Sequence, residues 1–204
     1  MIAYHFVNKK LRDGRPIPKD GEWLVHKGEL KMCASGLHAS LHPFDALQHA
    51  PGNTLCLVEV DGKIIYGDDK LVAEKRMITR RFDAEALLFK FARDCALSVI
   101  HLWDAPEVVK EFLTTGNETL RDAARSAAWD ATGARAAAAA GYAAWTAAKA
   151  ATGAAARDAA SRTARSAAWD AARAATGARA AAAAWDAARE KQRVDFKQVI
   201  DDLA

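Results

Sequence analysis

The chain has 204 residues, 51% of them hydrophobic and 27% charged, with a formal net charge of +3 at pH 7. That length suits one or two domains with a sizeable core, while so small a net charge does not by itself argue for a nucleic-acid partner. The longest uncharged alanine-rich run, Ala136 to Ala148, spans 13 residues, short of the ~18 that a membrane span needs, so no membrane partner is expected.

No basic segment followed by an apolar block opens the chain, so a secretory signal is not expected. Cys33, Cys56 and Cys95 lie far apart without a CxxC and read as reduced thiols. A cytoplasmic location follows as the expectation.

Ile2 to Val7 and Thr54 to Val60 are rich in β-branched and aromatic residues and read as strands. Asp61-Gly62 is a hairpin signal, with Lys63 to Tyr66 as the returning strand and Lys70 to Ile78 as a fourth. Pro43 to His49 reads as a short helix, with Ser40 or His42 near its N-cap and Pro43 in its first turn. From Asp83 the period becomes helical: Leu88, Phe91, Cys95, Val99 and Leu102 share one face. Asp104 and Glu107 stand as a capping box before a helix with Val108, Val109, Phe112 and Leu113 as its apolar stripe. Thr115-Gly-Asn117 breaks it.

Alanine then takes over, at 37 of the 70 residues from Arg121 to Glu190. Near-copies of Ala-Ala-Trp-Asp-Ala-Ala-Arg recur, placing Trp129, Trp145, Trp169 and Trp185 at intervals of 16, 24 and 16 residues. On one straight helix the four would occupy two opposite faces, at ~100° per residue. Thr-Gly pairs at 132–133, 152–153 and 176–177 instead cut the region into short antiparallel helices, each with one Trp facing a shared interior. One long helix is the alternative, since interior Gly costs only ~1 kcal/mol. The expected fold is therefore α+β: a small mixed domain over 1–82, connecting helices over 83–116, an Ala/Trp helical repeat over 117–193 and a capping helix over 194–204.

All six histidines precede residue 102, which confines any chemistry to the first half. His38 and His42 stand four apart, but without the Glu of HExxH or a Cys pair they indicate no metal site. Phosphate-binding glycine loops and GxSxG are absent, and Ser35, Ser40 and Cys33 show no partner spacing for a nucleophile. The tail from Arg121 to Arg189 holds ten basic against five acidic residues. Arg121, Arg125, Arg135, Arg157, Arg165 and Arg179 lack an obvious local acid and could form a basic ridge for phosphates. Pairs such as Asp158/Arg162, Asp170/Arg173 and Asp186/Arg189 have ordinary helix-stabilising spacing.

The segment Ser35-Gly-Leu-His-Ala-Ser40, with Tyr4-His5 before it and Val58 to Gly62 after it, resembles a group of uncharacterised phage and bacterial proteins. These pair a GLHAS or GFHA-type N-terminal domain with an alanine-rich repetitive tail. The resemblance implies a phage origin and brings no activity. More distantly, Tyr4-His5, Val58-Glu59-Val-Asp-Gly62 and Asp68-Asp69 resemble motifs of ADP-ribosyltransferase-like folds, especially small rifampin-modifying transferases. That resemblance implies NAD as cofactor, His5 on its ribose, and His38 with an acid among Glu59, Asp68 and Asp69 as catalytic residues. Phe6-Val7 and Leu37 to Ser40 depart from that family's Gly-Thr and aromatic segments. The expected function is accordingly a non-catalytic, phage-type interaction or assembly module, with no cofactor, that binds a protein partner or itself through the Trp-bearing repeat. The alternatives are an ADP-ribosyltransferase-like enzyme and a nucleic-acid binder.

Overall fold

The computed structural model describes residues 1–11, 13–131, 146–148, 150–153, 156–174 and 178–201. The fold is mixed α+β, with an antiparallel sheet followed by a helical C-terminal region. Two compact units divide the chain: Met1–Glu85 together with Phe196–Ala204, and Ala86–Asp195.

The first unit is built on five strands, β1 (Ile2–Val7), β2 (Trp23–Val25), β3 (Leu37–Ala39), β4 (Thr54–Tyr66) and β5 (Leu71–Asp83). Their order is β1-β4-β5-β2, with β3 also on β5. The 13 residues of β5 give room for two neighbours in line, β3 opposite Leu71 to Ala73 and β2 opposite Lys75 to Met77. Ser40, just past β3, exchanges two main-chain hydrogen bonds with Tyr4 of β1, at 2.8 and 2.9 Å. Ala3, Val7, Cys56, Val58, Val60 and Ile78 form a buried cluster on this sheet. The short helix α1 (Pro43–Gln48) has Pro at its start, and His42 Nδ1 accepts from the Phe44 N–H at 3.3 Å. Phe44 and Leu47 are buried beneath it, and the Phe44 ring meets Phe196 edge-on with centroids 6.1 Å apart.

Asp61-Gly62 does not turn the chain. β4 runs through it, and both flanks pair with β5: Asp61 faces Lys75 and Ile64 faces Ala73. Three steps on one strand against two on the other leave an extra residue, a β-bulge with Gly62 at φ +75°. The reversal falls at Gly67 to Lys70, where the Gly67 N–H donates to the Lys70 carbonyl at 2.8 Å. A bulge and a two-residue hairpin both ask for a residue at positive φ, which is why the dipeptide alone misleads.

In the second unit α2 (Glu85–Leu97) buries Leu88, Phe91 and Cys95 on one face, and α3 (Glu107–Thr115) buries Val109, Phe112 and Leu113. The Asp104 capping box does not form: Pro106 is the residue before α3, and no side chain caps it. Gly116, at φ +66°, ends the helix as the break required. Next come α4 (Arg121–Asp130), a helical stretch over 146–148 and 150–151, α5 (Ala156–Ala174) and α6 (Ala178–Asp201). Thr152-Gly153 interrupts the helix, so the region is not one continuous rod. The other two Thr-Gly pairs lie outside the described residues.

Side chains tie the helices to one another through main-chain carbonyls. Arg121 and Arg125 at the start of α4 reach the carbonyls of Gly153 and Thr152, at 2.8 and 3.0 Å. Thr163 Oγ1 donates to Ala147 O at 3.4 Å, and Gln192 Nε2 to Ala164 O at 2.9 Å. Ala156, Ala159, Ala160, Ala164, Ala167, Ala168 and Ala172 are all buried, a 3,4 spacing that puts them on one stripe of α5. Two of the four tryptophans, Trp129 and Trp169, do not face the expected shared interior. Trp129 is 63% exposed and Trp169 52%, each directly after a buried alanine, Ala128 or Ala168. Methyl-sized side chains let helix axes approach closely, and an indole on that stripe would hold them apart.

Candidate functional site

On β1, His5 stands directly across from Cys56 of β4, so the two side chains share a face of the sheet. Val58 and Val60 follow on that face by strand alternation, and Val60 stands opposite Arg76 of β5. Arg76 is only 6% exposed, and its Nη1 donates to the main-chain carbonyl of His38. Desolvation of the His5 ring, followed by the charges of Arg76 and His38, holds its pKa well below 6.5, so His5 is neutral at physiological pH. Burial pushes the Cys56 thiol up to about 11 despite the nearby Arg81 and Arg76. Burial also brings the Arg76 guanidinium down to about 10, which leaves it charged at neutral pH. Arg81 is neutralised by Asp20, Nε to Oδ1 at 2.5 Å, and also donates to the Pro18 carbonyl.

His5 and His38 are therefore brought within electrostatic reach of each other, but the acids expected beside them are not. Glu59 stands opposite Ile2 and Met77. Three residues along an unbulged strand from Cys56, it belongs to the other face. Asp68 is exposed in the turn between β4 and β5, and Asp69 pairs with His49 at 2.8 Å. His38 Nε2 accepts from the Cys33 N–H at 3.0 Å, and His42 caps α1, so both rings satisfy main-chain donors. Among the described residues no three or more His, Cys, Asp or Glu gather as a metal site.

Ser35 does have a histidine partner, contrary to its sequence spacing: Oγ lies 3.0 Å from His26 Nε2. Oγ also donates to the Glu29 carbonyl at 2.8 Å. The hydroxyl proton is thus directed at a carbonyl and His26 is the donor to Oγ, the reverse of an activated nucleophile.

Sequence reading missed Arg76. It sits in Lys75-Arg76, which reads as a solvated charge pair. The signal that marks it as inward is its regular alternation with the buried Ile78, two residues on and opposite Val58.

Three of the proposed ridge arginines do have local acids. Arg121 pairs with Glu118 at 2.6 Å, Arg125 lies 3.9 Å from Asp122, and Arg157 pairs with Asp158 at 2.6 Å. Arg121 also lies over the Phe89 ring, 4.2 Å from its centroid, and its side chain is 12% exposed. It is an internal strut rather than a phosphate contact. Arg165 is exposed. Arg135, Trp145 and the side chain of Arg179 lie outside the described residues. Trp185 is half-buried and meets Trp169 edge-on, with centroids 5.3 Å apart.

Residues 1–90 match the model of a family described as a domain of unknown function, DUF7666. No curated protein and no solved structure matches the chain. Among the described residues no helix is long and apolar enough to cross a membrane.

Proposed function

We propose that the protein is a non-catalytic interaction module that self-associates through its alanine-rich helices, with Trp129 and Trp169 as anchors. The exposure of these two indoles carries the reading. Tryptophan is among the residues most enriched at the energetic centres of protein interfaces, and here two stand outside a packed stripe of alanines. The half-buried Trp185 extends the apolar patch around Trp169. Stacked helical arrays leave an open face wherever the terminal helix lacks a polar cap. On α6, Ala182, Ala183 and Ala187 are exposed, a face that a second copy could continue.

Sedimentation analysis of the full chain across micromolar concentrations tests this. The expected result is a concentration-dependent oligomer that Trp129→Ala and Trp169→Ala each weaken while helical content is retained. A strict monomer over the whole range, or an oligomer indifferent to both substitutions, overturns it. The basic tail favours no nucleic-acid reading, because Arg121, Arg125 and Arg157 are occupied by acids and carbonyls of the same chain.

A further inference from the structure

We propose that Arg76 and His5 form a binding site for the carboxylate group of a small molecule on the β1–β4–β5 face. This site is independent of the tryptophan surface and would stand if that surface bound nothing.

The reasoning begins with charge. Arg76 is buried among strands, yet among the described residues no carboxylate pairs with it. Asp20, which acts on the same neighbourhood through Cys56, is already held by Arg81. Cys56 is the remaining group that could carry a compensating charge, and its raised pKa keeps it a neutral thiol. A lone buried cation is costly unless paired and hydrogen-bonded. Among the described residues Arg76 has one acceptor, the carbonyl of His38, reached by Nη1. Among the described residues its Nε and Nη2 make no hydrogen bond.

Geometry then selects the ligand. With Nη1 committed to His38, the free edge of the guanidinium is the one bearing the Nε and Nη2 hydrogens. These are parallel donors, spaced to hold the two oxygens of a carboxylate. One uncompensated positive charge suits a monoanion better than a doubly charged phosphate. His5, opposite Cys56, and Arg76, opposite Val60, lie on the same face of the sheet, and a neutral imidazole still has one N–H to donate.

The test uses the intact chain, isotope-labelled, titrated with acetate and benzoate at constant ionic strength, with chloride and inorganic phosphate as comparisons. The expected result is a saturable shift of the His5 ring resonances with the carboxylates, reached by about 100 mM and accompanied by a rise in Tm as mass action requires. Arg76→Gln should abolish both responses, and Arg76→Lys, which keeps the charge but not the fork, should weaken them at least fivefold. Should Arg76→Gln fail to fold, Arg76→Met removes the charge at similar volume and carries the same expectation. No saturable shift with either carboxylate overturns the site. An equal response to phosphate overturns the carboxylate assignment.

Discussion

His5 and Cys56 face each other across the β1–β4 pair, and the two polar groups share one fate: each is held in its neutral form by the sheet around it. For His5 this makes stability depend on pH. Above 6.5 the histidine is neutral both folded and unfolded, so it contributes no slope. Below 6.5 the unfolded chain takes up a proton that the folded one refuses, and stability falls as pH drops toward the folded pKa. The slope approaches about 1.4 kcal/mol per pH unit within that window. Urea midpoints measured between pH 7.5 and 5.5 should fall for the natural chain, and less steeply for His5→Asn. Parallel slopes would show that His5 is not the group responsible.

The thiols should separate in the same way. Cys33 is exposed, whereas Cys56 and Cys95 are buried. Burial raises both of the latter, Cys56 to about 11 and Cys95 further still. At pH 8 a thiol with such a pKa is only roughly 0.1% thiolate, the reactive form. A disulfide reagent added to the native protein should therefore consume Cys33 rapidly and the other two only when urea is added. Fast loss of all three thiols without denaturant would contradict the packing around β4 and α2.

Gly36 in the Ser35-Gly-Leu-His-Ala-Ser40 segment is required by its backbone and its surroundings. It sits at φ +110°, and a Cβ there would press into Val72 Cγ2 and come within 2.8 Å of Leu30 Cδ2. Both neighbours belong to the packed interior, at 0% and 7% exposure. Gly36→Ala should therefore lower stability by about 1–3 kcal/mol, the range for overpacking and for a strained backbone. Gly21→Ala is the control, since its φ of +83° is also positive but nothing lies within 4 Å. A thermal melt showing the two substitutions equally costly would place the effect in the backbone angle alone.

What could be read from the sequence divides along physical lines. β1, the first half of β4, α1 and the faces of α2 and α3 follow from local pattern, because each carries its own period and its own stop signals. β2 and β3 do not: Trp23–Val25 and Leu37–Ala39 are three-residue strands, too short to alternate, and exist because β5 offers them an edge. Site residues fared similarly. His5 is visible in a regular strand, whereas Arg76 is a charged residue at an inward position, two before the buried Ile78, and its charge masks the pattern. In the helices the pattern is carried by the smallest side chain. Tryptophan has the largest apolar surface and so points to the interior, but the stripe at Ala156, Ala160, Ala164 and Ala168 names the buried face.

That stripe gives the sharpest contrast between two substitutions. Ala160 is 0% exposed on α5, whose neighbouring residues Thr163 and Ala164 are tied to Ala147 and Gln192 by hydrogen bonds that require close approach. Ala160→Leu adds three carbons where the helices have no room, and should cost about 1–3 kcal/mol or more even though leucine is the more hydrophobic residue. Trp169→Ala removes a far larger side chain, yet one already 52% exposed. Its loss forfeits the edge-on contact with Trp185, about 0.5–1.5 kcal/mol by the usual worth of such a pair, and the burial of the covered part of the indole besides. Alanine's higher helix propensity offsets part of that. Chemical denaturation of the two variants should thus rank the small addition as more damaging than the large deletion. The opposite ranking would mean that tryptophan, not alanine, carries the packing of this region.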